Sequence, residues 1–134
     1  MPNHFHIFLK QTSDNKPISK FIGDLTNSYT KSINKKYGRS GVLFESRTKN
    51  RIVYEERAFP LLTKYILTNP VKANICSRFD SYDFSSAKEL IGIIKKEITD
   101  AEILNYFENV EMFKEYILAE DEISLNHIFI KREP

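Results

Sequence analysis

Residues 1–10 read Met1-Pro2-Asn3-His4-Phe5-His6-Ile7-Phe8-Leu9-Lys10, and their alternation decides how the rest of the chain is read. In a strand successive side chains point to opposite faces. His4 and His6 then share one face, while Phe5, Ile7 and Leu9 share the other. The spacing predicts a half-buried strand carrying two imidazoles side by side on its polar face. Such a pair is half of a metal site when other elements supply the remaining ligands. Taken alone, a His-x-His pair also occurs with no ligand role.

Downstream, Gln11 to Lys16 is a polar run with turn chemistry in Ser13-Asp14-Asn15. Pro17 suits the first turn of a helix. Ile18, Phe21, Ile22, Leu25, Tyr29 and Ile33 follow at spacings of three and four, one apolar stripe, and Gly38 and Gly41 mark its exit. Residues 42–44 and 51–54 read as short strands. Between them Arg47, Lys49 and Arg51 alternate, so an extended backbone places all three on one side. That comb suits a phosphate backbone; equally, charges of this kind protect a strand edge. Residues 55–68 read as a helix that Asn69-Pro70 ends or kinks, because the residue before proline is pushed from helical geometry. Residues 71–75 read as a further short turn of helix, and residues 77–84 as loop. From Ser85 onward the pattern is helical, around residues 86–98, 100–108 and 110–120, with a capping signal at Thr99-Asp100-Ala101-Glu102.

The chain has 134 residues, 41% of them apolar and 13% aromatic, enough for a folded domain with a real core. No stretch approaches the ~20 apolar residues of a membrane span, and no signal peptide is visible. The single cysteine, Cys76, excludes an intrachain disulfide and a cysteine-rich zinc site, which makes the cytoplasm the expected location. The net charge of +2 conceals an asymmetry. Residues 1–78 hold 14 Lys/Arg against 5 Asp/Glu (+9), and residues 79–134 hold 6 against 13 (−7). A basic front suggests a polyanion such as nucleic acid; the two halves also suit each other as oppositely charged solvated faces. The expected division is therefore a core over residues 1–78 and an acidic helical segment over residues 79–134.

Tyr65 and Asn69 are four apart and share one face of a helix. A phenol is a nucleophile, and an amide oxygen one turn away is a metal ligand. Set against His4 and His6, these are the parts of a phosphoryl-transfer site. The ion would polarise a phosphodiester oxygen while Tyr65 attacks phosphorus. Each residue also has a plainer use: Tyr65 as a core tyrosine with a satisfied hydroxyl, Asn69 as a helix stop, His4 as a half-exposed side chain. His127, in a short apolar run, reads as structural rather than as a ligand.

The run Met1-Pro2-Asn3-His4-Phe5-His6 carries a resemblance together with Gly41-Val42-Leu43-Phe44, with Arg47 shortly after, and Tyr65-Ile66-Leu67-Thr68-Asn69-Pro70-Val71-Lys72-Ala73. Over residues 1–90 the chain resembles the single-tyrosine HUH transposases, in particular the REP-associated, insertion-sequence-200-like group. Ser85-Ser86 after an aromatic also fits that group. The resemblance implies metal-dependent cleavage and rejoining of single-stranded or hairpin DNA through a 5′-phosphotyrosine, without ATP. By position it makes His4, His6 and Asn69 ligands of Mg2+ or Mn2+ and Tyr65 the nucleophile. Arg47, Lys49, Arg51 and Lys72 become candidate phosphate contacts. The implied fold class is α+β: a partial ferredoxin-like antiparallel sheet with packed helices, followed by an all-helical C-terminal segment, often working as a homodimer.

The family places a strand, a helix and a second strand before its histidine strand, and this chain begins on that strand. The expectation is a fragment of a longer protein, or a partner chain that completes the sheet. Two functions follow: a tyrosine transposase, or a non-catalytic truncated relative that binds hairpin or single-stranded DNA.

Overall fold

The computed structural model describes residue 1 and residues 3–120, and the expectation for His127 lies outside them. The described residues form helices α1 (Ile18–Tyr37), α2 (Ala58–Lys72), α3 (Ala87–Leu90) and α4 (Val110–Leu118), with a 3₁₀ helix at Ala101–Tyr106. They contain no strand, so the expected antiparallel sheet is corrected. A strand persists only where a neighbour pairs its backbone N–H and C=O groups. Residues 3–10, 42–44 and 51–54 find no such ladder and stay irregular. The expected apolar face fails with it: Phe5, Ile7 and Leu9 remain 39%, 45% and 36% exposed. It is the even-numbered side that meets α2, where Phe8 packs edge-on against Phe59 at 5.3 Å between ring centres. No helix among the described residues is long and apolar enough to cross a membrane.

The chain divides into two compact units, Leu9–Arg51 and Met1–Phe8 with the chain from Ile52 onward. In the first, Pro17 is the N-cap of α1 rather than its first helical residue. The Gln11 side chain accepts from the Ile18 N–H. Gly38 closes α1 in the left-handed conformation (φ 60°), a backbone state that costs glycine little, and its N–H donates to the Asn34 carbonyl. The Asn34 amide donates to the Gly41 carbonyl at 2.8 Å, which turns the chain back after the helix. The apolar stripe of α1 forms as expected, yet none of its residues is buried.

The second unit holds a core of Leu67, Phe79, Ala87, Leu90, Ile91, Phe113 and Ile117, with Val71, Ile103, Leu104 and Phe107 packed against it. Residues on both sides of the charge switch near residue 79 contribute to it. Helix α2 runs through Asn69-Pro70 to Lys72 and does not stop at Asn69. Pro70 removes only one late intrahelical donor, its ring is buried, and its carbonyl accepts from Ile75. The expected helix over residues 86–98 shrinks to α3. Gly92 takes a positive φ of 76°, and the Glu89 carboxylate accepts from the Ile98 and Thr99 N–H groups, folding the segment back. Asp100 and Asn109 cap the next two helices by accepting from Glu102 and Met112.

Phe113 is fully buried and Phe84 is 88% exposed. Phe113→Ala is expected to cost about 3–5 kcal/mol of unfolding free energy in urea titrations, against under about 0.5 kcal/mol for Phe84→Ala.

Candidate active site

Helix α2 is buried on both sides: Ala58 and Leu62 are buried on the stripe that continues through Tyr65 and Asn69, and four residues are buried on the other face. Those four are Thr63, Lys64, Leu67 and Pro70, and the Lys64 ammonium lies 4.9 Å from the centre of the Tyr116 ring on α4. At 100° per residue, Tyr65 and Asn69 both stand roughly 160° round the helix from Leu67 and about 40° from each other. Packing of the Leu67 face therefore sets the direction of the second, the one that carries Tyr65. Tyr65 and Asn69 are each half-buried.

The histidine segment meets this second face at Tyr65. The His6 ring meets the Tyr65 ring edge-on, with centres 5.7 Å apart. The His4 and His6 rings are edge-to-face at 5.0 Å. Two residues beyond His6, the Phe8–Phe59 contact holds the segment on the helix about one and two-thirds turns nearer its start. At the other end the Met1 amino group donates to the Tyr82 hydroxyl at 2.9 Å. Aromatic packing and one hydrogen bond thus do the positioning that the sheet was expected to do.

Sequence reasoning gave Asn3 no role, although it stands beside His4. Its side-chain oxygen accepts from His4 Nδ1 at 2.7 Å. That proton assignment leaves Nε2 of His4 with its lone pair free for a ligand. His6 is pushed below the ordinary histidine value of 6.5, first by desolvation, then by His4 and the N-terminal ammonium. The lowered value favours the neutral His6 imidazole, the form that binds a cation. An imidazole nitrogen reaches a divalent ion at ~2.1 Å, so rings with centres 5.0 Å apart are within reach of a shared ion.

Asn69 sits one turn beyond Tyr65, and no hydrogen bond links its side chain to either imidazole. Among the described residues there is no group of three or more His, Cys, Asp or Glu placed to hold a metal. The donors brought together are the two imidazoles, which suit Mn2+ better than Mg2+ with its preference for an all-oxygen shell, and no contact among the described residues places the Asn69 amide beside them. Of the candidate phosphate contacts, Lys72 ends α2 in the same unit as Tyr65 and is exposed. Arg47, Lys49 and Arg51 belong to the other unit and are exposed there.

Comparison of the chain with protein-family models, with curated proteins and with solved structures found no match.

The His6 environment has a pH consequence. A base held below its ordinary value favours the folded state while neutral. That contribution is complete above about pH 6.5 and declines as pH falls through the lowered value. NMR titration of the metal-free protein is expected to place the His6 midpoint below 6.5, and His4→Gln is expected to raise it. A His6 midpoint at or above 6.5 in the unsubstituted protein would contradict the packing described here.

Proposed function

We propose that this chain cleaves and rejoins single-stranded or hairpin DNA by tyrosine attack on phosphorus. The observation that carries this is the contact of His6 with Tyr65, which unites two segments 59 positions apart in one compact unit. It is supported by the exposed histidine pair, by Asn69 one turn from Tyr65, and by the basic residues over the front of the chain.

In the proposed reaction Tyr65 Oη forms a bond to phosphorus as the bond from phosphorus to the 3′ oxygen breaks. The electron pair leaves with that oxygen, and the proton given up by the phenol is balanced by the one taken up at the released 3′-hydroxyl. The 5′ end of the cut strand stays on the protein as a phosphotyrosine. Its ester retains the energy of the broken bond, so a 3′-hydroxyl can reverse the step without ATP. His4, His6 and Asn69 would hold Mn2+ or Mg2+, which when bound supplies polarisation of a phosphoryl oxygen and neutralises developing charge. Lys72 would hold a flanking phosphate.

One observation favours the second function, a binder without catalysis. The histidine segment is irregular and exposed, whereas catalytic groups hold their geometry best on rigid elements. Incubation with labelled hairpin DNA and Mn2+, followed by a denaturing gel, separates the two. The proposed reaction gives a covalent protein–DNA band that disappears with chelator and with Tyr65→Phe. A band surviving in Tyr65→Phe removes Tyr65 as the nucleophile. DNA binding without any band assigns the chain to the binders.

A further inference from the structure

The unit Leu9–Arg51 has 10 Lys/Arg against 3 Asp/Glu, a net charge of +7 over 43 residues. Its aromatic side chains lie outside rather than in a core: Phe21 and Tyr29 are each 53% exposed and Tyr37 is 61% exposed. Tyr29 is held against Phe44, ring centres 6.3 Å apart and tilted 40°. This pairing has a local cause. The Gly38 cap and the bond from the Asn34 amide to the Gly41 carbonyl reverse the chain, which brings residue 44 back to α1. Two turns beyond Tyr29, the Lys36 ammonium lies 5.2 Å from the centre of the Tyr37 ring. Lys31, Lys35, Arg39, Arg47 and Lys49 are exposed on the same small unit.

Solvent-facing rings amid net positive charge are the two components of single-strand recognition. Bases stack on aromatic faces, and cations track the phosphates. A protein partner for such a surface would need a strongly acidic rim. A duplex hides its base faces and would leave the rings unused. We infer that the unit Leu9–Arg51 binds an unpaired DNA strand, with the Tyr29–Phe44 pair as a platform on which its bases stack. This deepens the single-strand function proposed above and assigns it to residues that take no part in bond cleavage.

The test uses the full chain in EDTA, so that no metal-dependent step enters. Fluorescence anisotropy compares binding of labelled oligo-dT with an abasic strand of equal length and charge. Oligo-dT is expected to bind at least about tenfold more tightly. Tyr29→Ala combined with Phe44→Ala is expected to abolish that preference without changing the salt dependence of binding, since no phosphate contact is lost. Tyr29→Phe is expected to keep it. Equal binding of the two strands by the unsubstituted chain overturns the proposal with no variant involved. So does a loss in the double variant as large on the abasic strand as on oligo-dT. Tight binding to anionic phosphatidylserine vesicles alongside base-blind binding of both strands would make this a lipid-facing helix, and the proposal falls. Base preference and covalent adduct are separate readouts, so either can fail while the other stands.

Discussion

Everything placed in the second unit depends on the seating of helix α2 against α4 and the 3₁₀ helix. Leu67, Phe113 and Ile117 are removed from water almost completely, and Lys64 is enclosed with them against the Tyr116 ring. Once Leu67 is fixed inward, the helical repeat leaves Tyr65 and Asn69 no choice but the opposite side. The core therefore sets the side of the helix on which Tyr65 stands. Burial is the strong interaction here, and the aromatic contacts that bring His6 and Phe8 onto the helix are weaker additions to it.

The two units solve the problem of a small chain differently. The second gathers apolar side chains from five segments into one core. The first has a long capped helix with a turn folded back on its end, and none of the helix's residues is buried. Its helix is maintained by local terms: the Gly38 cap and the Lys20–Asp24 ion pair one turn apart. Isolated helices stabilised only in this way are marginal in water, and binding of a partner would add what packing does not.

Charge and packing also divide the chain at different places. Positive charge is concentrated before residue 79 and negative charge after it, whereas the core joins Leu67 and Val71 to Phe79, Ala87 and residues beyond. Solvated charges act over a Debye length of about 10 Å and tolerate many arrangements. Apolar contacts need van der Waals distance, so it is packing that sets the compact unit.

Local rules in the sequence determined the helices over Ile18–Tyr37 and most of Ala58–Lys72, the glycine stop at Gly38, and the cap at Asp100, because each rests on neighbours within a turn. They also put Tyr65 and Asn69 on one helix face, since four residues are one turn. They misled for residues 3–10, where alternation predicts a strand but no second segment pairs its backbone, and at Asn69-Pro70, where burial of the proline outweighs one lost hydrogen bond. Gly92 and the reach of Glu89 to Thr99 broke a helix that periodicity alone would continue. Only tertiary structure decided that His6 meets Tyr65. Contacts between segments depend on which faces the cores and turns leave available, and no local pattern encodes that.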